Sequence, residues 1–194
     1  MKVLLINGSP HKEGCTFTAL SEIKDQLEKE GIDSEIFWIG NKPVRGCIAC
    51  GKCGTLEKCA FDDDVANEIV EKMLESDGLI IGSPVYYAGP NGALCAILDR
   101  VFYSASSKFA FKPGASVVSC RRGGSTASFD RLNKYFTISN MPIVASKYWN
   151  MVHGNTPEEV KQDLEGLHTM RTLARNMAWL LKSIEGNDLP EQEE

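Results

Sequence analysis

Apolar positions along the chain follow two alternating rhythms. Residues 2–7 hold a short apolar run, Val3 to Ile6, that ends in Gly8-Ser9-Pro10, which predicts a buried strand and then a loop. Residues 16–29 place apolar side chains at 17, 20, 23 and 27, the spacing of one helix face, and Gly31 supplies a stop. Residues 34–39 alternate as a second strand. Residues 62–75 predict a helix with Val65, Ile69 and Met73 on one face and Asp62, Asp63 and Asp64 in its first turn, where the helix dipole favours acids. A third strand at 78–82, a helix at 92–104, a fourth strand at 115–120, a helix at 125–138 and a fifth strand at 142–145 follow. A long helix at 157–184 carries apolar residues at 160, 164, 167, 170, 173, 174, 177, 180 and 181, and a polar tail spans 185–194.

Five strands alternating with helices imply a parallel sheet with helices on both faces, an α/β chain in three layers. No internal repeat or linker divides it, so residues 1–184 read as one domain. Composition changes this picture little: 43% of residues are apolar and 24% charged. The net charge of −5 and the lack of a basic stripe argue against nucleic acid. No run approaches the roughly 18 apolar residues of a membrane span. The N-terminal run is shorter than the ~7–15 residues of a signal-peptide core. A cytoplasmic location is therefore expected, with neither membrane nor nucleic acid as partner.

Sheets of this kind bind ligands at the carboxyl ends of their strands, which directs attention to three loops. The first, "NGSPHKEGCTFT", joins hydroxyls at Ser9, Thr16 and Thr18 to a helix start, a combination that suits an anion; the plainer reading is a capped helix with Thr16 as N-cap. It carries neither the P-loop nor the dinucleotide glycine fingerprint. The second, "GSPVYYAGPNG", sets two tyrosines after a buried strand, placed either to edge a flat ring or to pack on the helix below. The third, "SCRRGGSTAS", offers Arg121 and Arg122 before two glycines, as a ligand contact or as a solvated basic turn.

Between the second strand and the next helix lies "RGCIACGKCGTLEKC". Its Cys47, Cys50, Cys53 and Cys59 follow the spacing C-x2-C-x2-C-x5-C. The first three can wrap one iron–sulfur cubane, with Cys59 as a fourth ligand on the same cluster. Zinc and free or disulfide-forming thiols are the other readings, although zinc knuckles usually stand farther apart. Cys95 reads as a structural thiol, and Cys120, at the end of a core strand, either as structural too or as a thiol close to the ligand at the strand ends.

Gly8-Ser9-Pro10 with Thr16, then Ser83-Pro84-Val85-Tyr86, then Arg122-Gly123-Gly124 resemble the flavodoxin-like NAD(P)H-dependent FMN reductase family. The cysteine ladder resembles its iron–sulfur flavoprotein branch. The resemblance covers nearly the whole chain and implies a flavodoxin-like fold, strand order 2-1-3-4-5, with FMN at the strand ends. It implies that Ser9, His11, Cys15, Thr16 and Phe17 surround the FMN phosphate. Pro84, Val85, Tyr86, Tyr87 and Gly89 would line the isoalloxazine, and Arg121, Arg122, Gly123 and Gly124 would approach its other edge. Cys47, Cys50, Cys53 and Cys59 would hold a [4Fe–4S] cluster. At position 15 the family often has Asn; a thiol is a poor phosphate partner, which leaves the backbone N–H groups to bind it.

The implied activity is an FMN-dependent oxidoreductase, with NAD(P)H or a reduced carrier as donor and a small molecule or protein as acceptor. No side chain needs to act as acid or base, because the flavin carries the chemistry. A homodimer or homotetramer is implied as well, consistent with the apolar segment "YFTISNMPIVASKYWNMVHG". Two rival functions are a non-enzymatic flavodoxin-type carrier and a thiol or metal redox sensor.

Overall fold

The computed structural model describes residues 1–188 and Pro190. In chain order the elements are β1 (Lys2–Asn7), α1 (Cys15–Lys29), β2 (Asp33–Trp38), a short α2 (Cys53–Leu56), α3 (Ala66–Leu74) and β3 (Gly78–Tyr86). They continue with β4 (Gly89–Pro90), α4 (Gly92–Ala105), a 3-10 turn (Ser106–Phe109), β5 (Gly114–Cys120), α5 (Ser125–Ile138), β6 (Met151–His153), α6 (Pro157–Gln162) and α7 (Leu164–Ile184).

The sheet runs β2-β1-β3-β5-β6, all parallel, and β4 folds back antiparallel on β3. Counting parallel strands alone, this is the expected flavodoxin-like order. Alternation along β1 sends Val3 and Leu5 to one face and Leu4 and Ile6 to the other, all 0% exposed. The first face packs on α1 and α7 through Leu20, Ile23, Leu27, Met170 and Leu173. The second packs on α3, α4 and α5 through Ile69, Leu94, Val101, Leu132 and Phe136. With both faces covered, each central strand reads as a continuous apolar run. Gly31 (φ +74°) closes α1 in a Schellman turn, with the Ile32 N–H donating to the Leu27 carbonyl at 2.9 Å.

Four expected boundaries move. The third strand continues past 82 to Tyr86, so the expected loop is a hairpin. Pro84 is tolerated there because β1 pairs only as far as Gly82, and no β1 bond needs its missing N–H. The helix expected at 62–75 begins at Ala66 instead: Asp64 accepts the Ala66 N–H at 3.1 Å while pairing with Arg100 on α4, Asp62 accepts from Asn67, and Asp63 pairs with Arg45 of the cysteine loop, so the three precede the helix and do not form its first turn. The fifth strand is Met151–His153. Residues 142–145 only brush the start of β5, where Gly114 donates to the Pro142 carbonyl and Val144 donates back to Gly114, both at 2.8 Å.

The long helix expected at 157–184 breaks at Asp163. Its carboxylate accepts the N–H of Gly166 (2.9 Å) and of His153 (2.7 Å), capping α7 and anchoring it to β6. No helix among the described residues is long and apolar enough to cross a membrane. Of the polar tail at 185–194, Leu189 and residues 191–194 lie outside the described residues.

Candidate functional site

The loops after β1, β3, β5 and β6 meet at the carboxyl edge of the sheet and enclose an open cleft of about 610 Å³, including its solvent mouth. The β1 loop is shaped by Asn7, itself 0% exposed. The Asn7 side chain accepts the Ser9 N–H at 3.1 Å and donates to the Lys12 carbonyl at 2.9 Å. Trp38 at the end of β2 donates its indole N–H to the Ser9 carbonyl at 2.8 Å. Ser9 Oγ accepts the His11 N–H at 3.1 Å, so its hydroxyl hydrogen stays free to donate.

The residue that caps α1 is Gly14, not Thr16. Gly14 has no side chain to cap with, and the N–H groups of Cys15, Thr16 and Phe17 have no hydrogen-bond partner among the other described residues. By contrast α4, α6 and α7 are closed by the side chains of Asn91, Thr156 and Asp163. α5, with Gly124 at its N-cap, is likewise without a side-chain cap, but it is α1 that carries Cys15 and Thr16 into the cleft lining, so its donors stand ready for an anion there. Thr16 turns inward, its hydroxyl 2.8 Å from that of Ser119 on β5.

The β3–β4 hairpin forms another wall. Its two turn residues, Tyr87 (φ +50°) and Ala88 (φ +58°), both take left-handed backbone, the signature of a type I′ turn. Gly124 (φ +89°) packs beneath this turn, where a Cβ would lie 2.7 Å from the Ala88 Cα.

Of the residues expected around a flavin, Ser9, His11, Cys15, Thr16, Pro84, Val85, Tyr86 and Arg121 line one cleft together. Phe17, Tyr87, Gly89, Arg122, Gly123 and Gly124 do not line it: Gly124 supports the hairpin, Tyr87 is fully exposed at its tip, and Arg122 and Gly123 face solvent. Cys120, expected to lie close to the flavin, lines it too, and Ser119, Gly154 and Asn155 complete the lining unanticipated. Ser119 meets Thr16 across 103 residues, for which no local signal exists. Gly154 and Asn155 follow β6, and placing the last strand at 142–145 hid them. Burial pushes the thiols of Cys15 and Cys120 up, which keeps both protonated at neutral pH. An anion end with free backbone donors and a wall of Pro84, Val85 and Tyr86 fit a phosphate-bearing planar ring.

A second pocket of about 340 Å³ lies in the cysteine loop and is lined by Cys47, Cys50, Cys53 and Cys59 together with Phe61, Arg100 and Tyr103. All four thiols are free. Positive φ at Ala49 (+52°) and Gly51 (+69°) turns the chain about the pocket. The Ala49 N–H points at the Cys47 sulfur at 3.4 Å, and Arg100 Nε–H at the Cys59 sulfur at 3.2 Å.

Asn67 ties the loop's far end to α3, accepting the Cys59 N–H at 3.0 Å and donating to the Cys59 carbonyl at 3.1 Å. Among the described residues, no group of three or more His, Cys, Asp or Glu side chains is drawn close enough to grip one metal ion. Around zinc the sulfurs would stand roughly 3.8 Å apart, from a Zn–S bond of ~2.3 Å. The pocket's donors are soft sulfurs with N–H groups aimed at them, and no carboxylate or imidazole lines it. That donor set fits an iron–sulfur cluster or a zinc ion.

A profile of the NADPH-dependent FMN reductase family matches residues 1–156. An iron–sulfur flavoprotein of Methanocaldococcus jannaschii is 34% identical, over 95% of this chain and 99% of its own. One from Methanosarcina thermophila is 29% identical, over 96% of this chain and 98% of its own. Among solved structures, RosB with a bound riboflavin-phosphate intermediate superposes with a TM-score of 0.78 at 15% identity, covering 96% of this chain and 81% of that one; this likeness speaks to the fold. The strand-end cleft, the cysteine pocket and these relatives agree, and the chain belongs to the NADPH-dependent FMN reductase family, in its iron–sulfur flavoprotein branch.

Proposed function

We propose that the protein is an FMN-dependent oxidoreductase that takes electrons from NAD(P)H or a reduced carrier and passes them to an acceptor, with a [4Fe–4S] cluster held by Cys47, Cys50, Cys53 and Cys59. The observation that carries the reading is the presence of two separate donor sets on one sheet: uncapped N–H groups at the strand-end cleft, and four thiols around one pocket. Bound FMN would supply the hydride and electron chemistry, and the cluster exchange of single electrons.

The chain's own part is binding and orientation. The N–H groups of Cys15, Thr16 and Phe17, with the Ser9 hydroxyl, would hold the phosphate. Pro84, Val85 and Tyr86 would flank the ring. The protonated Cys15 and Cys120 add no charge to the cleft, and the dipole of α1 favours an anion there against the nearby carboxylates of Glu158 and Glu159. Arg121, at the cleft's rim, offers a cation to the anionic groups of a nicotinamide donor.

Anaerobic protein should bind FMN tighter than about 100 μM, or ~5.5 kcal/mol. It should carry about four irons per chain. Cys50→Ser should abolish the cluster's visible absorbance and leave FMN affinity unchanged, because Cys50 touches no wall of the cleft. No FMN binding at that level would refute the flavin assignment. Less than one iron per chain after reconstitution with iron and sulfide would refute the cluster and leave the flavin standing.

A further inference from the structure

Arg100 lies on α4 among Ile97, Leu98, Val101 and Phe102, and its side chain is 1% exposed. A lone charge on an apolar helix face is tolerated only when its hydrogen bonds are satisfied. Arg100 has four partners, and all belong to the cysteine loop or its exit. Nη1 donates to the Asp64 carboxylate and to the Arg45 carbonyl at 3.4 Å. Nη2 donates to the Phe61 carbonyl at 2.9 Å. A fourth donor, Nε–H, points at the Cys59 sulfur at 3.2 Å.

Three of these partners are oxygens, strong acceptors that suit a guanidinium. The fourth is a poor one while the thiol is protonated, and becomes a charge-assisted acceptor only as a thiolate. A side chain this deeply buried and fixed by three oxygens has its Nε–H aimed where a metal-bound thiolate would put negative charge. Asp64 already balances the arginine's charge, so what Arg100 brings to the sulfur is a directed N–H bond more than a net field.

We infer that Arg100 is a positioning residue for the metal site: its Nε–H holds the Cys59 sulfur in bonding orientation and raises the reduction potential of the group bound there. This rests on the cluster reading above. N–H···S bonds withdraw electron density from ligand sulfur and favour the reduced cluster, in which the sulfur carries more charge. The step affected is the gain of one electron by the oxidised cluster; no bond forms or breaks and no proton moves. The other N–H aimed at a ladder sulfur comes from the Ala49 backbone, so Arg100 is the donor that substitution can remove.

The test compares wild type with Arg100→Lys and with the double variant Arg100→Met/Asp64→Asn, which removes the ion pair without stranding a charge. Each is reconstituted anaerobically with iron and sulfide, assayed for iron, and titrated with dithionite through mediators while the cluster is followed by electron paramagnetic resonance. Both variants should hold wild-type iron and be about tenfold harder to reduce, a shift of ~59 mV to lower potential for a one-electron couple. Folded variants whose loop resists protease like wild type but which take up no iron also support the assignment, because the loop then stands without Arg100 and the site does not.

Full iron at an unchanged potential overturns it. So does iron loss with rapid cleavage in residues 45–61, which would make Arg100 a brace of the loop alone. Wild type that binds no iron overturns this inference together with the cluster reading, an outcome separable from the others by the iron assay on wild type.

Discussion

The strand-end cleft takes its walls from the sheet, whereas the cysteine loop between β2 and α3 has one four-residue helix and otherwise irregular chain. In the cleft, strand pairing fixes the hairpin wall: β3 carries Pro84 in register with Ser119 of β5 and Val85 against Pro90 of β4, and Asn7 extends the order of β1 into the loop beyond it. In the loop, a few side chains replace that pairing. Asn67 holds Cys59 and Phe61, Arg100 holds Phe61 and Arg45, and Arg45 pairs with Asp63 while lying over the Phe61 ring at 4.3 Å. A site hung from a sheet is shaped before its ligand arrives, so little binding energy goes into ordering it. A site built from loop and side-chain ties depends on each tie, and damage to it stays local.

The largest expected effect is therefore on the loop. Asn67 is 5% exposed and makes four hydrogen bonds to the chain between Cys59 and Asp62. Asn67→Ala strands the Cys59 N–H and carbonyl, and should destabilise the segment by about 3 kcal/mol at ~1–3 kcal/mol per unsatisfied group. Hydrogen exchange should rise across residues 45–61 and iron uptake should fall, with FMN affinity unchanged. Equal loosening at the strand-end cleft would show that the two regions are not independent.

The sequence revealed these two regions unequally. The alternation of strand and helix and the first cleft loop were legible because they rest on local signals, such as the Val3 to Ile6 run and the Gly31 stop, whereas the strand order came from the family resemblance. The cysteine spacing was visible, but its bracing was not: Arg100 is 41 residues from Cys59 and reads as an ordinary arginine in a helix. Its one clue was a charge among apolar neighbours at 97, 98, 101 and 102, which demands a buried partner without naming it. The three aspartates at 62–64 suited a helix start on electrostatic grounds, and Asp64 does accept the Ala66 N–H there, yet bonds to Arg45, Asn67 and Arg100 keep all three outside the helix. Met151–His153 is three residues long and stood hidden behind the more apolar Pro142-Ile143-Val144, which the chain uses for a single bridge.

Gly124→Ala tests the cleft from the opposite side. Its φ of +89° and the 2.7 Å approach to the Ala88 Cα leave no room for a methyl group unless the hairpin shifts. The cost should be on the order of 2 kcal/mol, from left-handed strain and displaced backbone together. Because the hairpin carries Val85 and Tyr86, FMN affinity should fall as well, read by fluorescence quenching, while iron content holds. A variant with wild-type FMN affinity would mean that the hairpin tip can move without disturbing the cleft.

The smallest expected effect has the opposite sign. A type I′ turn asks for positive φ at both central positions, which favours Asn-Gly, and this chain places Tyr87-Ala88 there. Left-handed backbone costs a residue with a Cβ about 1–2 kcal/mol. A glycine recovers that but gives back about 0.4–1 kcal/mol as extra freedom in the unfolded chain. Ala88→Gly should therefore stabilise the protein by about 0.5–1 kcal/mol, seen as a higher urea midpoint at an unchanged slope. If the cleft is as rigid as its strand pairing implies, FMN affinity should not change, since the substitution removes one methyl group and keeps the Val85–Pro90 and Tyr86–Gly89 pairing. A gain in stability accompanied by weaker FMN binding would instead mean that the strained turn holds Tyr86 in place, and that the cleft, like the cysteine loop, depends on a single local tie.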